Sequence, residues 1–201
     1  MNQINGLDIS FWQGTSINWQ QVADAGYQFV YIKASEGCFR VEPNANTQAT
    51  GAQAASLKIG YYHFSHPSED KAVDEANFFL KAIKNLPQAD LIPVLDLETN
   101  KNNLTIEQMT QFANDFYTQM QNNGFEMMLY TYTSFYNSFI VGKDLLQKKL
   151  WLASYGSSPI LPIGRSDYEI WQWTQKGSIP GISGSAVDLN ICPDLSQILI
   201  Q

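Results

Sequence analysis

Two carboxylates close the apolar run Leu91-Ile92-Pro93-Val94-Leu95-Asp96-Leu97-Glu98. Such a run reads as a buried strand, in which residues two apart share a face with roughly 6–7 Å between their Cα atoms. Asp96 and Glu98 therefore address one substrate bond from one side. No cation stands beside them in the local sequence. Unpaired buried charge is expensive, which favours a functional reading of the pair over a structural one. Two acids held close in a partly dry site do not ionise equally, so one keeps its proton and the other carries the charge. That division of labour suits cleavage of a glycosidic bond.

Two further acids belong to the same constellation. Asp8 lies late in Gly6-Leu7-Asp8-Ile9-Ser10, and Asp188 lies in Ala186-Val187-Asp188-Leu189-Asn190. Each alone also reads as a turn cap or a partner of Lys33, since structural ion pairs perturb acids as well. Lys33 and Glu36 stand in Tyr31-Ile32-Lys33-Ala34-Ser35-Glu36-Gly37. Lys33 shares a face with Phe29 and Tyr31, where it holds a substrate oxygen, tunes a neighbouring acid or makes a plain salt bridge. His63 has no Ser or Cys nucleophile motif around it and reads as structural, and His66, before Pro67 in a loop, has no assigned role. Four acids without a metal-binding His form a proton-handling cluster more readily than a metal site, so neither metal nor cofactor is expected.

Strands must bring these acids together. Short apolar or alternating runs recur at Ile4–Ile9, Phe29–Ala34, Ile59–Ser65, Leu91–Leu97, Met127–Tyr132, Leu150–Ser154, Tyr168–Thr174 and Ala186–Leu189. Between them Trp19–Ala25, Asn44–Lys58, Ser68–Asn85 and Thr105–Asn123 carry helical signals, with Ser68 and Thr105 as caps and Gly26 and Gly124 as stops. After Tyr132 only Phe135–Ile140 remains helical, and Ser157–Arg165 and Lys176–Ser185 read as loops. The alternation predicts a parallel α/β sheet of eight strands that closes as a barrel and becomes irregular in its final third. An open doubly wound sheet is the second choice. Closure brings the first strand beside the last, and with them Asp8 beside Asp188.

The totals narrow the partners. The chain has 201 residues, 44% of them hydrophobic, enough for one domain over 1–201 with one core. A net charge of −7 without a basic run argues against nucleic acid and against an anionic membrane surface. No segment approaches membrane-spanning length, and Met1–Gly6 shows no signal peptide pattern. No glycine-rich phosphate motif follows any expected strand, so nucleotide binding has little support. The aromatic fraction of 13% supplies rings near strand ends on which sugars stack, although core packing explains any single ring as well. Cys38 and Cys192 are expected as free thiols. A bridge between them stays open because both follow expected strands at what would be the same end of a barrel.

Several of these segments, in order, resemble one known family: Gly6-Leu7-Asp8-Ile9-Ser10 with Trp12-Gln13, Lys33-Ala34-Ser35-Glu36-Gly37, Gly60-Tyr61-Tyr62-His63-Phe64, Asp96-Leu97-Glu98, Tyr130-Thr131-Tyr132, Leu150-Trp151-Leu152-Ala153-Ser154-Tyr155, Trp171-Gln172-Trp173 and Val187-Asp188-Leu189-Asn190. Together they resemble glycoside hydrolase family 25, the Chalaropsis-type lysozymes and phage endolysins. The resemblance implies a single irregular β/α barrel, with five β/α units followed by three strands. It also implies a muramidase that cleaves the β-1,4 bond between N-acetylmuramic acid and N-acetylglucosamine in peptidoglycan glycan strands. Glu98 is then the general acid, Asp96 stabilises charge at the sugar, and Asp8 and Asp188 complete an acidic floor. Lys33, Tyr62, Phe64, Tyr130, Tyr132, Trp151 and Trp171 line the groove, with the aromatic positions sensitive to a one-residue slip in register.

A same-strand Asp-x-Glu suits substrate assistance, in which the acetamido oxygen is the nucleophile and the product keeps its configuration. The alternatives are a non-catalytic wall-binding carbohydrate domain and a chitin-directed hydrolase. Family 18 chitinases use a longer acidic strand motif, whereas Val94 and Leu91 stand at the preceding places here. The site of action is the bacterial cell wall, reached by secretion or phage delivery, and a monomer is expected because the substrate is a bulky polymer.

Net charge also sets a salt dependence. A chain of −7 is repelled by an anionic wall at low ionic strength. Raising salt moderately from near zero increases the initial rate of wall clearing; a rate that only falls with salt would show that attraction dominates.

Overall fold

The computed structural model describes residues 3–140, 145 and 147–201. Eight strands close into a barrel in the order β1 (Ile4–Ile9), β2 (Tyr27–Glu36), β4 (Lys58–Phe64), β5 (Val94–Asp96), β6 (Met128–Tyr132), β7 (Lys149–Ala153), β8 (Ile170–Gly177) and β9 (Val187–Cys192). β3 (Arg40–Val41) is an additional strand that folds back on the end of β2. Helices α1 (Trp19–Asp24), α2 (Ala45–Ala54), α3 (Ala72–Ile83), α4 (Ile106–Asn122) and α5 (Thr133–Phe139) follow the first five barrel strands. No helix separates the last three strands among the described residues. The open doubly wound sheet is thereby excluded, because β1 pairs with β2 on one side and β9 on the other.

The expected all-parallel order holds for seven strands and fails for the last. β9 runs antiparallel to both β8 and β1. Its connection from β8, residues 178–186, contains no helix, and a short connection without a crossover returns as a hairpin. β9 therefore begins at the mouth where the other strands end.

Period-two alternation divides each strand between two cores. On β2, Phe29 and Tyr31 point into the barrel, while Val30, Ile32 and Ala34 face the helices. On α4, Met109, Phe112, Ala113, Phe116, Tyr117 and Met120 repeat at helical spacing and bury one stripe against the barrel. Thr105 caps α4 through a reciprocal pair with Gln108, as its sequence suggests. Gly26 and Gly124 stop α1 and α4 with φ of 90° and 85°.

Other boundaries move for local reasons. Leu91–Leu97 keeps ladder pairing only over Val94–Asp96. Pro93 has no N–H to donate, and Leu91 instead bridges Leu199 near the end of the chain. Ser68 caps nothing: residues 66–70 form a turn, with Asp70 N donating to His66 O, and α3 begins at Ala72. α2 ends at Ala54, before Ser56 turns left-handed at φ 65°. Both cysteines are free. The bridge between them is ruled out by the reversal of β9, which carries Cys192 to the base opposite Ile4, while Cys38 follows β2 at the mouth.

The barrel floor depends on two strand glycines. A Cβ on Gly6 would stand 2.2 Å from the Phe29 ring, and one on Gly60 would stand 2.3 Å from Tyr31. Both rings are fully buried and have no room to retreat, so small and large residues must alternate around the floor. Gly60→Ala lowers stability by about 1–3 kcal/mol through overpacking, read as a lower urea midpoint with an unchanged slope.

Candidate active site

The four acids meet at the carboxyl end of the parallel strands. Asp8 on β1 is in register with Asp188 on β9. Asp96 ends β5, and Glu98 follows two residues later, with Leu97 between them turned to the outer core. A cavity of about 220 Å³ is lined by Asp8, Asp96, Glu98 and Asp188 together with Lys33. Its aromatic walls are Tyr62, Phe64, Tyr130 and Trp151, and Ser10 and Trp12 stand at its edge. A second, more open depression of about 660 Å³ adjoins it, bounded by Tyr132, Tyr155 and Ile160. Glu98 and Tyr130 line both, so Glu98 stands where the acidic chamber meets an aromatic groove.

Trp151 is the hub of the chamber's floor. Its ring lies 4.9 Å from the rings of both Tyr31 and Tyr130, and its indole N–H donates to Asn190 Oδ1 at 2.7 Å. Asn190 and Gln172 in turn donate to the same oxygen of Asp8, at 2.7 and 2.9 Å. The Tyr130 hydroxyl donates to Gln172 Oε1 at 3.0 Å. One network thus fixes the floor, Asp8 and one wall.

Confinement favours the protonated forms of these acids. Burial, then the Asp188 charge, pushes Asp8 well above the ordinary aspartate value, against the donors Asn190 and Gln172. Burial pushes Asp188 up to about 6, although a hydrogen bond from Asp8 favours its charge. Both strand neighbours are thus biased toward their protonated forms. Burial and then the charge on Glu98 push Asp96 well above its ordinary value, with Lys33 opposing. Glu98 is raised by burial and then by Asp188, again with Lys33 opposing. Asp96 Oδ1 is buried and has no protein hydrogen-bond partner among the described residues, so its lone pairs are uncompensated within the protein.

Most of the residues singled out in the sequence converge on this mouth. Asp8, Asp96, Glu98, Asp188, Lys33, Tyr62, Phe64, Tyr130 and Trp151 line the chamber, and Tyr132 lines the groove. Trp171 lines neither: its neighbour Gln172 takes the inward position, and the Trp171 indole donates to Ser154 O at 2.6 Å. Lys33 is paired with Glu36 at 2.6 Å, not with Asp8 or Asp188. His63 faces away from the chamber. It is fully buried between the rings of Phe79 and Phe116 and bonds Ser35 Oγ at 2.8 Å and Glu75 Oε2 at 2.9 Å. Burial lowers His63 to about 3 and raises Glu75 to about 8, so near pH 6 this is a neutral structural pair.

Gln172 and Asn190, which bond Asp8, and Tyr155, which bonds Gln172 and bounds the depression, are further neighbours of the acids. Asn190 was accessible from its spacing, two residues beyond Asp188 and so on the same face. Gln172 was accessible as the polar member of Trp-Gln-Trp on a strand ending at the acids. Among the described residues no group of His, Cys, Asp and Glu has the arrangement of a metal site, and no helix is long and apolar enough to cross a membrane.

Comparison with known proteins agrees with this geometry. The profile of Glycosyl hydrolases family 25 matches residues 7–182. Lysozyme M1 of Streptomyces globisporus is 32% identical over 198 residues, covering 93% of this chain and 67% of that protein. An autolytic lysozyme of Clostridium acetobutylicum is 35% identical over 187 residues, covering 91% of this chain and 54% of that protein. The chain thus spans about two thirds of the one relative's length and about half of the other's. The crystal structure of a bacterial lysozyme from Streptomyces coelicolor superposes with a TM-score of 0.86 at 29% identity, covering 98% of this chain and 95% of that one. A profile match over most of the barrel, joined by relatives above 30% identity along nearly the whole chain, makes this protein a member of glycosyl hydrolase family 25 and a glycoside hydrolase.

Proposed function

We propose that the chain is a muramidase that hydrolyses the β-1,4 bond between N-acetylmuramic acid and N-acetylglucosamine in bacterial peptidoglycan, acting as a monomer at the cell wall. Relatives named as lysozymes support the substrate class. The observation that carries the residue roles is the position of Glu98, shared by the chamber and the groove. A glycan crossing that junction presents its scissile oxygen to Glu98, which donates the proton.

Asp96 lies only in the chamber and offers Oδ1 without a partner. A sugar acetamido N–H pointing there favours the Asp96 anion, since donors to a carboxylate stabilise its charged form. Positive charge developing on the acetamido group does the same. The proton of the pair then resides on Glu98, the charge on Asp96, and the acetamido oxygen attacks the anomeric carbon as the leaving oxygen departs protonated. Water, deprotonated by Glu98, opens the ring so formed, and the configuration is retained. Asp8 and Asp188 hold a negative floor beneath the sugar.

Glu98→Gln lowers clearing of Gram-positive walls by about 10²–10⁴-fold, the span of general acid–base catalysis; equal clearing by both proteins would refute the assignment. Mass analysis of fragments from defined peptidoglycan finds N-acetylmuramic acid at the new reducing ends, whereas release from chitin alone would select the chitin-directed reading. An inverted anomer caught by rapid NMR would refute substrate assistance.

The pH profile carries a separate sign. Glu98 donates only while protonated, so the rate falls as pH rises through its raised value, and the basic limb lies above the ordinary glutamic value of 4.5. Asp188 is the first charge that raises Glu98. Asp188→Asn therefore moves the basic limb of kcat/KM to lower pH; a limb that stays or rises would show that Asp188 does not tune the donor.

A further inference from the structure

Lys33 is the one cation among the described residues that line the chamber, yet it bonds neither Asp96 nor Glu98. Its ammonium sits 2.6 Å from Glu36 Oε2 and 4.9 Å from the centre of the Phe64 ring. Glu36 is held from its other side as well, with Oε1 3.0 Å from His66 Nε2. His66 is largely buried, edge-on to Phe39 and Phe64, and its Nδ1 lies 2.9 Å from Glu69 Oε2. Glu69 Oε1 meets Lys101 at the surface at 3.1 Å. A chain of alternating partners thus runs from solvent to the chamber and ends on Lys33.

The charges around Lys33 make this arrangement consequential. Asp8 from β1, Asp96 at the end of β5, Glu98 just after it, and Asp188 from β9 line the chamber with Lys33, and Glu36 reaches Lys33 from the end of β2. An ammonium free among these acids would settle on the pair after β5 and lock one of them as an ion-paired anion. Burial works against a charge on Glu36, but the bonds from Lys33 and His66 outweigh it and hold its carboxyl below the ordinary range. Glu36 is therefore a fixed anion that competes for Lys33.

We propose that Glu36, anchored by His66, is a positioning residue that withholds the Lys33 ammonium from Asp96 and Glu98 and so leaves Asp96 Oδ1 unpaired. This inference rests on the reading of Asp96 and Glu98 as the reacting acids. Lys33 then acts on the pair through space, moderating how tightly they keep their protons without bonding either one.

The test is a cycle of Glu36→Gln, Lys33→Met and the double variant, with kcat and kcat/KM followed against pH and folding checked by urea unfolding. Glu36→Gln releases Lys33 onto the acids and moves the basic limb down by about one pH unit or more, as for an acid gaining a close cation. Lys33→Met moves the limb up. In the Lys33→Met background, Glu36→Gln changes little, because no ammonium remains to be released. An equal downward movement with and without Lys33, or none in Glu36→Gln, would overturn the proposal.

A crystal structure of Glu36→Gln gives a readout that does not need turnover. Lys33 Nζ is expected within hydrogen-bond distance of Asp96 or Glu98, and Lys33 left in its present position would overturn the proposal even if the variant were inactive. Absence of glycan hydrolysis by the unaltered protein would instead defeat the functional reading, and this structural arm separates the two failures.

Discussion

Four carboxylates confined with a single ammonium at one barrel mouth are the constraint on which the rest of the structure turns. In water such acids would all ionise. Walls of Tyr62, Phe64, Tyr130 and Trp151 remove that solvation and push Asp96 and Glu98 above their ordinary values. The fold supplies opposing contacts only selectively. Asp8 receives two side-chain amide donors, whereas Asp96 Oδ1 receives none. A site built for stability alone would satisfy both, and the unequal treatment sets Asp96 apart from Asp8.

The barrel interior grades along its axis from apolar to charged. Phe29, Val94, Met128, Ile170 and Cys192 fill the interior toward the base, and Tyr31, Trp151 and Tyr130 stack above them. Asn190, Gln172 and Asp8 then convert packing into hydrogen bonding, and the free acids come last. The same strands carry all levels, because alternate residues on β1, β2 and β9 face inward throughout. The packed base is therefore continuous with the site, and Asp8, Asp96 and Asp188 are positioned by strands, with Glu98 just beyond the end of β5.

Most of the framework was legible because it depends on periodicity and on order along the chain. Asp96 and Glu98 declared themselves by closing an apolar run, and Asp8 and Asp188 by lying in the first and last strands. What was illegible depended on contacts between distant segments. The reversal of β9 is set by the connection before it, and nothing in Ala186–Leu189 itself states a direction. Trp171 and Gln172 are both plausible inward residues, and which of them faces Asp8 follows from the register of β8 with its neighbours. The Glu36–His66 pairing joins the end of β2 to the loop after β4, a contact that neither segment announces.

The antiparallel last strand has a mechanical consequence. Ile4, at the start of β1, pairs with Cys192 at the end of β9, and Leu199 returns to bridge Leu91 below β5. The start of β1 and the segment around Leu199 thus both lie on the underside of the barrel, opposite the groove. The mouth that gathers the four acids is thereby left clear of both segments.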